Sequence, residues 1–215
     1  MAHPLGDQPD RPGPLVIAHR GASIDRAEHT LAAYRLAIES GADGLECDVR
    51  LTRDGHLVCI HDRTVDRTSD GTGPVSARTL AQLGRLNAAA WHEGPGATGA
   101  ILTLVDLLEL VRATERPLRL LIETKHPTRY GPRVEQQLAL ALDRFGFTAP
   151  TPSASQAIVM SFAASALRRM QRLRPDGSTV LLMESMLGSR RTGGLPTGTS
   201  IAGPSVELTV WTSLP

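Results

Sequence analysis

The chain has few cysteines, few aromatic rings and no excess of either charge. Cys47 and Cys59 are its only cysteines, with no CxxC pair, so a disulfide framework is excluded and both read as small buried hydrophobes of a reducing compartment. Aromatic residues make up 3% of the chain, and 23 basic side chains balance 22 acidic ones to a net charge of +1. Nucleic acid needs a counterion-displacing basic surface and stacking platforms, so no nucleic-acid partner is expected. No apolar run approaches the roughly 18 residues of a membrane helix. The opening MAHPLGDQPDRPGP also lacks the apolar core of a signal peptide. The expectation is a cytoplasmic protein with no membrane span.

What is present has a globular profile, 41% hydrophobic and 21% charged over 215 residues, the length of one domain. Short apolar runs alternate with helical patterns, which predicts an α/β fold with a mainly parallel sheet. Residues 15–18 form a first buried strand. Leu31, Tyr34 and Ile38 then repeat at helical spacing between the N-cap candidate Thr30 and Gly41. Gly44 to Val49 reads as the second strand, joined through the turn Arg53-Asp54-Gly55 to the apolar run Leu57 to Ile60. Thr103 and Asp106 form a capping signal for a helix with Leu104, Leu107, Leu108 and Val111 on one face. Strands over 118–122, 158–160 and 180–183 alternate with helical stripes over 134–145 and 167–173. Residues 1–14 read as a flexible segment, and residues 185–200, rich in Gly, Ser, Thr and Arg, as an irregular loop.

Polar residues follow the apolar runs repeatedly: His19-Arg20, His61-Asp62, Glu123 with Lys125, and Ser161. All fall at strand carboxyl ends, where βα loops gather catalytic groups in parallel α/β folds. Glu46 and Asp48 flank Cys47 within one strand, so both carboxylates share a face, as do Glu123 and Lys125 on another. Three carboxylates meeting in a barrel mouth repel one another unless a cation intervenes. Oxygen ligands without paired cysteines favour Mg²⁺ or Ca²⁺ over zinc. The alternative is an exposed strand face with solvated acids.

The segments AHRGAS at 18–23, GADGLECDVRLTRDGHLVCIHD at 41–62 and LLIETK at 120–125 resemble the glycerophosphodiester phosphodiesterase family, with VMSF at 159–162 and ILTLVDLL at 101–108 in support. The resemblance implies a TIM-type (β/α) barrel over residues 15–215 and a divalent cation. It also implies hydrolysis of small-molecule glycerophosphodiesters to glycerol 3-phosphate and an alcohol. Carried over by position, it makes Glu46, Asp48 and Glu123 the metal ligands and His19 and His61 the general acid and base. Arg20 and Lys125 supply positive charge to the phosphate, or else form structural ion pairs. Glu28, in AEHT, matches a further acidic position that binds metal, orients Arg20 or contacts substrate, and Trp211 matches a late tryptophan of the substrate pocket. Residues 57–91 resemble the family's insertion, in which Asp62 and Arg67 read as structural. His3, His29, His56, His92 and His126 have no motif behind them and read as loop or surface residues.

The chain departs from the family pattern near its end. A TIM barrel usually takes about 250 residues. Here Ile201 to Ser205 resembles a late strand, Val210-Trp211-Thr212 follows it at once, and an eighth strand and one or two outer helices have no counterpart. An incomplete barrel exposes strand edges, which predicts self-association. Two alternative readings are a phospholipase D-like lipid phosphodiesterase and a catalytically silent remnant that only binds metal or phosphodiester.

Overall fold

The computed structural model describes residues 14–92, 98–147, 154–184 and 195–205. Strands and helices alternate along it: β1 (Ile17–His19), α1 (Leu31–Glu39), β2 (Gly44–Leu51), β3 (Leu57–Cys59), α2 (Leu80–Leu83), α3 (Leu104–Ala113), β4 (Arg119–Thr124), α4 (Arg133–Arg144), β5 (Gln156–Ser161), α5 (Ala164–Leu173), β6 (Ser178–Met183) and β7 (Ile201–Pro204). The sheet order is β1-β2-β4-β5-β6-β7, all parallel, with β3 turned back antiparallel on β2. The strands curl into an incomplete α/β barrel with helices outside. The expected hairpin, parallel strands and helices are all present. The expected irregular loop falls mostly, and the expected flexible N-terminal segment and Trp211 fall almost wholly or wholly, outside the described residues.

Local chemistry accounts for the boundaries. Thr30 opens α1 by accepting a hydrogen bond from the Ala33 N–H, and Gly41, at φ 85°, follows the helix in the left-handed region that a side chain disfavours. Thr103 and Asp106 cap α3 reciprocally, the capping box that the sequence predicts. Gly44 admits β4 beside β2, since a Cβ there would lie 2.5 Å from the Arg119 carbonyl oxygen.

Side-chain alternation then divides the sheet into two faces. Leu45, Cys47 and Val49 of β2, with Leu120 and Ile122 of β4, pack outward against Tyr34 of α1, Leu107 of α3 and Leu138 of α4 in the main core. On the other face, Leu121 of β4 joins Ile158, Met160 and Val180 in a separate apolar cluster. Glu46, Asp48 and Glu123 occupy this second face, nearer the strand carboxyl ends. The register pairs His19 with Glu46 and Asp48 with Glu123. Three strands thus deliver four ionisable groups to one place.

Candidate active site

The turn after β1 is built to approach β2. Arg20, at φ 59°, directs its backbone N–H to both the carbonyl oxygen and Oε2 of Glu46, each at 3.1 Å. Gly21 follows at φ 84°, where a Cβ would come within 2.8 Å of Ala33, so the HRG sequence has a steric basis. His19 lies half outside this turn, its Nε2 3.8 Å from Glu46 Oε2 and its side chain 67% exposed. Burial of part of its ring and the adjacent Arg20 charge lower its pKa, which favours the neutral imidazole.

Glu46, Asp48 and Glu123 are all buried, and each offers an oxygen within 4.8 Å of the others. Such crowding penalises ionisation. Burial, followed by the Asp48 charge, pushes the Glu46 pKa up to about 8. Burial raises that of Glu123 against the opposing pull of Lys125. Asp48 behaves differently: burial disfavours its charge, yet the His29 hydrogen bond and the Lys125 ammonium outweigh this and hold its pKa well below the carboxylate range. Lys125 Nζ sits 3.0 Å from Asp48 Oδ1 and 2.8 Å from Glu123 Oε1. Asp48 Oδ1 is buried and has no hydrogen bond of good geometry. Three hard oxygen donors crowded into a buried site, with Asp48 Oδ1 lacking a well-formed hydrogen bond, fit a divalent cation.

His61 stands beyond β3, its Nδ1 2.7 Å from Asp62 Oδ1. Arg67 donates to Asp62 Oδ2 at 2.6 Å and, through its two terminal nitrogens, to both oxygens of Glu28 at 2.9 and 2.8 Å. Arg20 joins Glu28, at 3.1 Å, to Asp48, at 3.1 Å. One unbroken chain of charges therefore runs from His61 to Asp48. Both Asp62 and Glu28 have pKa values drawn down by it despite partial burial.

The structure thus brings together His19, Arg20, Glu28, Glu46, Asp48, His61, Glu123 and Lys125; Trp211 lies outside the described residues. His29 and His126 stand in loops, as the sequence suggests, but neither is freely exposed. His29 is no surface residue: it is buried, at φ 58°, with Nε2 3.0 Å from Asp48 Oδ2 and Nδ1 2.8 Å from the Tyr34 hydroxyl, which in turn donates to the Glu46 carbonyl oxygen at 3.1 Å. His126 is half-buried against Glu135 of α4, Nε2 to Oε1 at 2.6 Å. No periodicity marks either contact, because each joins residues through the fold. The adjacency of His29 to the N-cap Thr30 was the one available signal, since an N-cap fixes where the preceding side chain lies. Two larger grooves, of about 530 and 510 Å³, lie between outer helices and are lined by none of the acids or histidines of this site.

The sequence profile of the glycerophosphoryl diester phosphodiesterase family matches residues 19–213. A probable glycerophosphodiester phosphodiesterase of Mycobacterium tuberculosis is 51% identical over 199 residues, covering 90% of this chain and 73% of that protein. A glycerophosphodiester phosphodiesterase of Caldanaerobacter subterraneus is 39% identical over 170 residues, covering 79% and 67%. Among solved structures, a phosphodiesterase of Oleispira antarctica in complex with the product sn-glycerol-3-phosphate superposes with a TM-score of 0.74 at 28% identity, over 84% of this chain and 70% of that one. A glycerophosphodiester phosphodiesterase of Agrobacterium tumefaciens gives 0.66 at 30%, over 79% and 66%. The chain belongs to the glycerophosphoryl diester phosphodiesterase family.

Proposed function

We propose that this protein hydrolyses glycerophosphodiesters to glycerol 3-phosphate and an alcohol, using Mg²⁺ or Ca²⁺ held by Glu46, Asp48 and Glu123. The observation that carries this reading is the buried carboxylate trio, each member offering an oxygen within 4.8 Å of the others, with His19 Nε2 3.8 Å from Glu46 Oε2 beside it. A bound divalent cation supplies charge neutralisation to the phosphoryl oxygens. The chain's own groups do the rest. Lys125 and Arg20 place fixed positive charge beside the trio, and Arg20 is itself positioned by Glu28. Asp62 holds His61 Nδ1, which fixes the ring's tautomer and leaves Nε2 to exchange a proton with substrate. His19, exposed and inclined to the neutral form, serves the opposite proton transfer. Membership of the family favours neither the phospholipase D-like lipid phosphodiesterase nor the silent remnant.

Three further readings belong to this proposal. Residues 15–215 act as one domain, with residues 57–91 as the family-type insertion. Cys47 and Cys59 are free and buried, which supports a reducing, cytoplasmic setting. Among the described residues β1 and β7 each pair on one side alone, which supports self-association through strand edges.

Glycerol 3-phosphate release from glycerophosphoglycerol or glycerophosphocholine, measured with Mg²⁺ and with Ca²⁺, tests the reaction. The expected result is metal-dependent release that falls about 10²- to 10⁴-fold in His19→Ala. Release no greater than that of the variant under either ion contradicts it.

A further inference from the structure

The geometry points to a second anion site beside the carboxylates: we propose that Arg50, Arg63 and Arg129 seat a phosphate or carboxylate carried by the alcohol half of the substrate, an inference that rests on the phosphodiesterase reading above. Arg50 follows Glu46 and Asp48 on the same face of β2, one level further toward the strand's carboxyl end. Its guanidinium is half-buried and fixed, with Nε and Nη2 donating to the His61 carbonyl oxygen at 2.9 and 2.8 Å. Burial draws its pKa down, and the Arg63 charge adds to the effect against Asp48 and Asp62.

The arginines of this mouth fall into two kinds. Arg20 and Arg67 are each ion-paired with two carboxylates. Arg50, Arg63 and Arg129 make no carboxylate ion pair among the described residues, yet they line one recess of about 50 Å³ with Lys125, Ser76 and Thr128. Its far wall is fastened by the Tyr130 hydroxyl, which donates to the Ser76 carbonyl oxygen at 2.6 Å. Like charges gathered around a half-buried guanidinium repel one another, and an anion bound among them relieves that repulsion. Planar arginine forks and two hydroxyls match a tetrahedral phosphate or a planar carboxylate. Lys125 belongs to both places, since its Nζ touches Asp48 and Glu123. An anion in the recess therefore lies next to the scissile phosphate, on the same molecule.

The test compares glycerophosphocholine, glycerophosphoglycerol, the terminal phosphate monoester of glycerophosphoglycerol, and the diester of glycerol 3-phosphate with a hydroxycarboxylic acid. Wild-type kcat/KM should be about 10- to 100-fold higher for an anionic head group than for glycerol, chiefly through KM, and lowest for choline. The phosphate and carboxylate arms identify which anion is preferred. Arg63→Ala combined with Arg129→Ala, both at exposed positions, should remove that preference and leave glycerophosphoglycerol hydrolysis unchanged. Calorimetry of the four diesters against His19→Ala protein in Mg²⁺ should show the same order in binding alone. Equal affinities there, or arginine variants that weaken all four alike, overturn the anion site whatever the turnover. Arginine-dependent binding to phosphatidylglycerol vesicles without discrimination among soluble diesters overturns it too, by assigning the charge to a membrane surface. Absent hydrolysis of every diester by the wild type counts against the phosphodiesterase reading, while the binding order still decides the recess.

Discussion

Asp62 and His29 are the residues whose effects reach beyond their own positions. Asp62 holds His61 at 2.7 Å while itself held by Arg67 at 2.6 Å. Asp62→Asn keeps the shape and loses the charge that fixes the imidazole tautomer, so kcat should fall about 10²-fold with the fold intact; an unchanged kcat would leave Asp62 a purely structural role. His29 bridges Asp48 to Tyr34 in a site without solvent access. His29→Gly preserves the left-handed backbone and removes the bridge. Divalent-ion affinity, measured by calorimetry, should drop about 10- to 100-fold, the usual effect of removing a group that orients a metal ligand. Equal affinity would show that Arg20 and Lys125 suffice to hold Asp48. At this scale the grouping of the acids was legible, because strand alternation puts Glu46 with Asp48 and Glu123 with Lys125 on common faces, while His19 and His61 were legible only as residues that follow apolar runs. His29 was not, because its partners come from α1 and β2 and only the folded chain brings them together.

Among the elements, α4 has the most testable attachment. Its first turn contains the fully buried Glu135, which accepts hydrogen bonds from His126 at 2.6 Å and from Arg169 of α5 at 3.0 and 3.2 Å. The loop after β4, and with it Lys125, is thereby tied to two helices. Burial opposes the charge on Glu135, but the bonds from His126 and Arg169 prevail and lower its pKa. A depressed folded pKa gives stability that is complete above the unfolded value of about 4.3 and is lost as pH falls through the folded value. Glu135→Gln should therefore cost about 1.5–3 kcal/mol at pH 7, with the gap from wild type shrinking below about pH 4. Thermal melts across that range check it; a gap constant down to pH 3 would contradict the assignment. The helix itself was legible from its apolar stripe, whereas a glutamate on the buried side of that stripe has no sequence signature until its two cationic partners are placed.

For the whole molecule, the parallel order of strands and the position of the site at their carboxyl ends follow from the alternation of apolar runs and helical stripes. The sheet's outermost pairings do not, because they depend on which edges meet, and the late segment around Trp211 lies outside the described residues. If the strand edges mediate self-association, light scattering after size exclusion should report a species larger than the 23.0 kDa chain; a monomer at all concentrations would argue that the edges are protected. The reaction and the role of His29 both depend on Glu46, Asp48 and Glu123 sharing one cation. Titration with Mn²⁺, followed by electron paramagnetic resonance, measures that directly. One saturable ion per chain is expected in the wild type, with binding abolished in Asp48→Asn. Failure of the wild type to take up an ion, or undiminished uptake by the variant, would contradict the proposed centre.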